Sequence, residues 1–427
     1  MVTIKMRMNR GFYTIMLAQF FSSLADNALL IACMAVLAVL KSPAWMTPLL
    51  KLFFVLSYVL LAAFVGAFSD AFPKGRVMFV SNLIKIFGCG LMFFDVHPLI
   101  AYGVVGFGAA AYSPAKYGIL TELLPAEKLV AANGWFEGST VISIIMGTAL
   151  GGLLVNPQVT ALLLKFDIPV MTGGFDTTSD TALLVIVGAY VIAAIFNLNI
   201  PDTCARYKKQ AHSPIKLVVD FAECCTVLWK DKLGQISLSV TTLFWGVATT
   251  LQLIVLEWAK KSLHMPLDKA AILPGVVAFG VALGAASAAY FVPLKRSLSV
   301  MPMGIAMGFV VISMTAVHSV WVACPLLFVI GALSGYFVIP MNALLQHRGY
   351  VLMSAGHSIA VQNFNENISI LTMLALYAGL VILNMDINVV IILFGLFVAG
   401  MMFLIMRWHA ANQRRFDTVA LIGEHRH

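Results

Sequence analysis

The sequence predicts an all-α membrane protein of twelve transmembrane helices arranged as two six-helix bundles. Three observations predict it. Of 427 residues, 61% are hydrophobic and only 11% are charged, too few to coat a water-soluble domain. The apolar residues fall into about a dozen runs, and a hydrocarbon core of roughly 30 Å needs about 20 apolar residues of helix to cross it. The links between runs alternate between basic and nearly charge-free. Backbone in lipid must satisfy its own hydrogen bonds, so the long apolar runs are helices.

The expected spans are 11–40, 48–69, 77–97, 98–122, 128–155 and 180–200, then 233–257, 267–292, 299–317, 319–345, 355–382 and 385–408. The first continues as a full span, so it does not read as a cleavable leader. It carries Asp26 and Asn27 midway along. The second ends in GAFSDAFPKGR, residues 66–76, and the third carries Lys85. The fourth, fifth and tenth contain the glycines Gly103, Gly106 and Gly108, Gly147–Gly152 and Gly331–Gly335, which permit close helix approach.

Charge gives the orientation. With both termini on one side, most of the 27 Lys and Arg residues share that side. Lys41, Lys51, Lys165, Lys260, Lys261 and Lys269 face the other, and Lys85 lies inside a span. The positive-inside rule then places both termini in the cytoplasm. This distribution accounts for the net charge of +8 without nucleic acid. The six cysteines show no metal-ligand spacing and read as small hydrophobes.

The longest cytoplasmic link divides the chain into 1–200, a linker at 201–232, 233–410 and a cytoplasmic tail at 411–427. Within the linker, Ser213-Pro214 opens an amphipathic helix expected to lie on the inner membrane surface, with Leu217, Val218, Phe221 and Leu228 among its apolar residues. The halves echo each other. YSPAKYGIL (112–120) precedes AANGWFEG (131–138), and YFVIPMNALLQ (336–346) precedes AVQNFNEN (360–367). Asn133 and Glu137 are one helical turn apart, as are Gln362 and Glu366, so each pair shares a face. Paired six-span halves are a transporter architecture.

No GxxxxGK[ST] phosphate loop, nucleophile elbow or HExxH motif is present, so neither ATP drive by this chain nor an enzyme is expected.

GAFSDAFPKGR resembles the loop signature of the major facilitator superfamily, although the usual basic tail appears here as Lys-Gly-Arg after a proline. That resemblance implies close helix packing at Gly66, Asp70 at the cytoplasmic end of span 2, and Lys74 and Arg76 in a latch. A narrower resemblance covers nearly the whole chain. AQFFSSLADNALL (18–30), GFGAAAYSPAKYGILTEL (106–123), LVAANGWFEGST (129–140), TLFWG (242–246), VIPMNALLQHRG (338–349) and AVQNFNENISIL (360–371) look like the bacterial lysophospholipid transporter family. The resemblance implies movement of lysophospholipids such as lysophosphatidylethanolamine from the outer to the inner leaflet of the bacterial inner membrane. It also implies functional coupling to a cytoplasmic acyltransferase/acyl-carrier synthetase that re-acylates them. The family often carries arginine where this chain has Gln252.

The candidate substrate- or ion-binding residues are Asp26, Asn27, Lys116, Asn133, Glu137, Gln252, Gln362, Asn363, Asn365 and Glu366. Charge inside an apolar helix is costly and usually faces a cavity or a partner. Asp26 suits a coupling cation, a proton or a substrate ammonium; the other reading is a structural bond to a neighbouring helix. Carboxylates suit an ethanolamine ammonium, and amides suit phosphate and glycerol oxygens, while a cytoplasmic gate is the competing use of Glu137 and Glu366. The candidate gating residues are Gly66, Asp70, Lys74, Arg76, Glu122 and Arg348. Lys116 and Arg348 either attract phosphate or act as anchors and latch partners for Glu122 and Asp70. Lys85 is either the partner of an intramembrane acid such as Asp26 or a snorkelling residue. No organic cofactor or metal is expected, and the coupling ion, sodium or proton, stays open. The rival readings are a proton-coupled exporter of small lipophilic compounds and a non-transporting scaffold that recruits an acyltransferase.

Overall fold

The computed structural model describes residues 8–43, 46–156, 158–159, 178–207, 213–270, 272–415 and 417–423. The charges Lys5, Arg7, Lys165, Lys208, Lys209 and Arg426, and most of the 156–180 link, lie outside the described residues. Among the described residues every regular element is helical. In chain order the helices are α1 Arg10–Val39, α2 Met46–Leu60, α3 Ala62–Ala71, α4 Lys74–Phe93, α5 Pro98–Leu123, α6 Leu129–Leu154 and α7 Thr178–Leu198. They continue as α8 Pro214–Lys230, α9 Gly234–Ser262, α10 Leu267–Ala270, α11 Leu273–Phe291, α12 Met301–Ile312, α13 Val320–Leu352, α14 Ala355–Ile382 and α15 Ile387–Gln413.

Ten described helical segments are long and apolar enough to cross a membrane. Helices α2 and α3 make an eleventh if counted together across their 64° bend. The break falls at Leu61, whose φ of −99° and ψ of −1° stay right-handed but depart from regular α-helical values. The remaining expected span coincides with α5. That helix is 26 residues long, but Gly, Ala, Ser and Tyr positions dilute its hydropathy, and most of its residues are buried. A helix enclosed by other helices need not be as apolar as one facing lipid.

Local signals account for several boundaries. The Asn9 side chain accepts a hydrogen bond from the Phe12 amide at 2.8 Å and caps α1. Pro214 occupies the first position of α8, where its missing N–H costs nothing. Helix α13 runs seven residues past the expected end at 345, because Gln346, His347 and Arg348 are buried and held by neighbours. Arg348, expected just beyond span 10, therefore lies within its helix. The ninth span is a short α-helix flanked by 3-10 turns at Leu294–Val300 and Ser313–Ala316.

The chain forms two compact units, 1–123 with 142–220, and 124–141 with 221–427. In the first, α1, α2, α4, α5 and α7 share a core that includes Leu29, Cys33, Cys89, Tyr102 and Tyr190. Gly147 and Gly151 let α6 approach the backbone of α1 at Leu24 and Ala28. In the second, α11 and α13 pack backbone to backbone. Gly280 and Gly284 face Phe328 and Ala332, while Gly331 and Gly335 face the carbonyls of Val277 and Val281. A Cβ at any of the four would overlap a main-chain oxygen, which no side-chain shift relieves. Gly284→Val and Gly335→Val are therefore expected to prevent accumulation of folded protein. Gly90→Ala and Gly275→Ala, which would meet nothing, should accumulate normally. Membrane levels of tagged variants check this.

Candidate functional site

The first unit buries a charge pair among four helices. Ser22 and Asp26 lie one turn apart on α1, and Asn82 and Lys85 share a face of α4. The Lys85 ammonium donates to both Asp26 oxygens, at 2.9 Å to Oδ1 and 2.8 Å to Oδ2, and to Ser22 Oγ at 3.0 Å. Ser22 in turn donates to Asn82 Oδ1 at 2.8 Å. The Tyr190 hydroxyl on α7 donates to Asp26 Oδ1 at 2.6 Å. Lys85 Nζ also stands 5.1 Å from the centre of the Tyr112 ring of α5. Gly108 clears the lane, since a Cβ there would fall 2.7 Å from Lys85 Cγ.

Of Lys85's two readings, the structure shows pairing with Asp26. The lysine side chain is 2% exposed and the aspartate 18%, so the carboxylate keeps the more open flank. Asn27 points elsewhere, donating to the Ser23 carbonyl at 2.8 Å, with its Cβ toward Gly147.

Three of the candidate gating residues of the first unit form a second cluster. Lys74 Nζ lies 2.8 Å from Asp70 Oδ1 and 3.5 Å from Glu122 Oε1, with all three side chains almost wholly buried. Thr203 and Tyr207 each donate to Glu122 at 2.6 Å, so the segment after α7 closes over the acid. Gly66 is buried one turn before Asp70. Arg76 is exposed and acts on Asp202 through space. Hydrogen bonds from Arg206, at 3.1 and 3.3 Å, hold the exposed Asp202 carboxyl below its usual range.

In the second unit Arg348 has a partner that the sequence reading did not name. Its Nε and Nη2 donate to the two oxygens of Asp231 at 2.9 and 2.7 Å. This planar two-bond geometry is one that lysine cannot supply. Asp231 Oδ1 also accepts from the amides of Leu233 and Gly234, at 3.1 and 2.7 Å, where the link enters α9. The signal was present in Trp229-Lys230-Asp231-Lys232, an acid directly before a helix start.

The amide and acid motifs meet on α13. Asn342 and Gln346, two amides within VIPMNALLQHRG that no charge or motif position marks, lie one turn apart on it. Asn133 and Gln346 exchange reciprocal amide hydrogen bonds at 2.8 and 2.9 Å. Gln362 Nε2 donates to Glu366 at 2.8 Å and to Asn342 Oδ1 at 3.2 Å. Glu366 is buried, and Glu137, half-buried one turn beyond Asn133, is near enough to act on it electrostatically.

Asn365 accepts from Trp229 Nε1 of the linker helix at 3.2 Å. Asn363 is half-buried, and Gln252 is exposed on α9. Lys116 is half-buried, its ammonium 4.2 Å from the centre of the Tyr117 ring.

The sequence model described as Major Facilitator Superfamily matches residues 15–361. The lysophospholipid transporter LplT of Photorhabdus laumondii is 40% identical over 87% of this chain and 88% of its own length. The protein of the same name from Yersinia enterocolitica is 40% identical over 89% of both chains. The chain belongs to the lysophospholipid transporter family of the major facilitator superfamily.

Solved major facilitators share the fold of this family member. The E. coli fucose:proton symporter FucP gives a TM-score of 0.71 at 12% identity, covering 94% of this chain and 99% of FucP. An outward-facing bacterial homologue of the iron transporter ferroportin gives 0.69 at 15% identity, covering 94% of this chain and 100% of its own. In this major facilitator, the buried Asp70, Lys74 and Glu122 cluster is built around the superfamily loop signature.

Proposed function

We propose that this multi-pass membrane transporter moves lysophospholipids such as lysophosphatidylethanolamine from the outer to the inner leaflet of the bacterial inner membrane. The near full-length likeness to proteins named lysophospholipid transporter carries the proposal. The site chemistry supports it. Asp26 offers a carboxylate to a headgroup ammonium, and the Asn342, Gln346 and Gln362 amides suit phosphate and glycerol oxygens. Asp26 or Glu366 would hold the coupling cation, sodium or proton.

In this reading the halves 1–200 and 233–410 rock about a central cavity, joined by the linker 201–232, with both termini in the cytoplasm. The headgroup meets the polar residues while the single acyl chain stays along apolar helix faces. The Asp70–Lys74–Glu122 and Asp231–Arg348 clusters serve as cytoplasmic gates. A cytoplasmic acyltransferase/acyl-carrier synthetase then consumes the product. The protein itself does no covalent chemistry.

The test uses spheroplasts lacking their own lysolipid transporter but retaining the acyltransferase. Labelled lysophosphatidylethanolamine is expected to become diacyl lipid when this chain is expressed. No conversion at confirmed expression, or export of cationic drugs driven by the proton potential instead, overturns the substrate assignment.

A further inference from the structure

The second unit carries a cavity of about 750 Å³ that none of the candidate site or gating residues lines. Leu253, Leu256 and Met265 contribute an apolar floor, while Glu257, Lys260 and His264 bring charge and hydrogen-bonding groups. Tyr377 of α14 lines it as well. Helix α9 is 29 residues long, or about 43 Å. The cavity at its last turns is therefore a membrane thickness away from the Asp231–Arg348 pair at its start.

The wall is built locally. After α9 the chain turns at His264, with φ of 50°, and the Met265 amide bonds back to the Ala259 carbonyl at 3.1 Å. Residues 264–266 thus fold beside the helix end. Glu257 and Lys260 share one face of α9. Glu257 also meets Lys261 at 3.1 Å, in a pair whose side chains are 34% and 51% exposed. Such an exposed pair is weak and readily exchanged for a ligand. Lys260 and Lys261 are among the few basic residues that the charge pattern leaves on the face opposite the termini. An anion-attracting group there runs against the trend that orients the chain.

Resting on the lysolipid reading above, we propose that this cavity captures the zwitterionic headgroup of a lysophospholipid from the outer leaflet before it enters the transport path. Lys260 and His264 take the phosphate, Glu257 takes the ammonium, and the apolar floor takes the glycerol and the start of the acyl chain. The size is that of an ordinary small-ligand pocket. Gln252, one turn from Leu256 on α9, is the next polar residue toward the membrane interior.

The test is initial-rate uptake of lysophosphatidylethanolamine into proteoliposomes carrying the full chain, comparing wild type with Glu257→Gln, Lys260→Gln and the double variant. Both side chains are on the surface, so folding should persist. The expected result is a KM raised roughly fivefold or more in the double variant with kcat unchanged. An unchanged KM alongside active wild type overturns the capture site and leaves the lysolipid reading standing. Absence of uptake by wild type would instead fail that reading. Binding of spin-labelled lysophosphatidylethanolamine to detergent-purified protein then decides the cavity separately, with loss in the double variant supporting it and equal binding overturning it. Soluble glycerophosphoethanolamine serves as competitor. Inhibition as strong as that by the lysolipid assigns the cavity to the free headgroup compound and overturns lipid capture.

Discussion

Lys85→Met is expected to lower unfolding stability by about 3–5 kcal/mol, the usual cost of leaving one charge of a buried pair without its partner. The lysine donates to both Asp26 oxygens and to Ser22, and its removal leaves only the Tyr190 hydroxyl on the carboxylate among these bonds. The Asp26→Asn/Lys85→Met double variant removes both charges and should recover most of the loss. Transport separates structure from chemistry. The double variant should fold yet move no lysolipid, because the carboxylate that would receive the ammonium is gone. Denaturant unfolding in detergent, run as a double-mutant cycle, checks the first statement. A single-variant cost under about 1 kcal/mol would show that the pair is solvated rather than buried.

Asp231→Asn should cost about 3 kcal/mol by the same logic, since it leaves the Arg348 guanidinium buried without its counter-charge. The amide can still accept from Gly234 and Leu233, so the start of α9 stays capped. Asp231→Ala removes the cap too and should cost roughly 1 kcal/mol more. Arg348→Lys keeps the charge but cannot make both bonds, and about 1.5–3 kcal/mol is expected from the lost charge-assisted hydrogen bond. The order Ala, then Asn, then Lys in decreasing cost is the testable content, read from unfolding midpoints at constant slope. A cost of about 1 kcal/mol for Asp231→Ala, with Asp231→Asn and Arg348→Lys near zero, would mean that Asp231 acts only as a cap.

Much of the helical architecture was legible because the physics behind it is one-dimensional. Long apolar runs need no partner to be recognised, and α1, α6, α7 and α14 lie within a few residues of their expected bounds. The packing glycines Gly147, Gly151, Gly331 and Gly335 were legible for a similar reason, since small residues in apolar helices have few other uses, whereas Gly152 meets no neighbour. The break at Leu61 was not, because no proline or glycine marks it. Helix α5 was read as a span although its small and polar residues dilute the apolar signal.

Within the site, single residues were easier to find than their pairings. Asp26, Lys85 and Glu366 stood out as charges in apolar surroundings, Lys74 through the loop signature, and Glu122 as an acid near the basic Lys116. Tyr190, Asp231, Asn342 and Gln346 did not, because a tyrosine, an acid at a helix start and amides near a helix end all have ordinary uses. Which groups meet depends on helix rotation and three-dimensional packing. A lone charge can be read from sequence, but the side chain that neutralises it comes from a helix tens to hundreds of residues away.

The most direct test of the transport claim uses purified protein in liposomes, free of any acyltransferase. Fluorescent lysophosphatidylethanolamine is added outside, and the fraction protected from a membrane-impermeant quencher is followed over time. The account predicts protection that rises faster with this chain than in empty liposomes, and a return to the empty rate with Asp26→Asn. Protection no faster than in empty liposomes, from protein verified as folded and tested with both sodium and proton gradients, would contradict it.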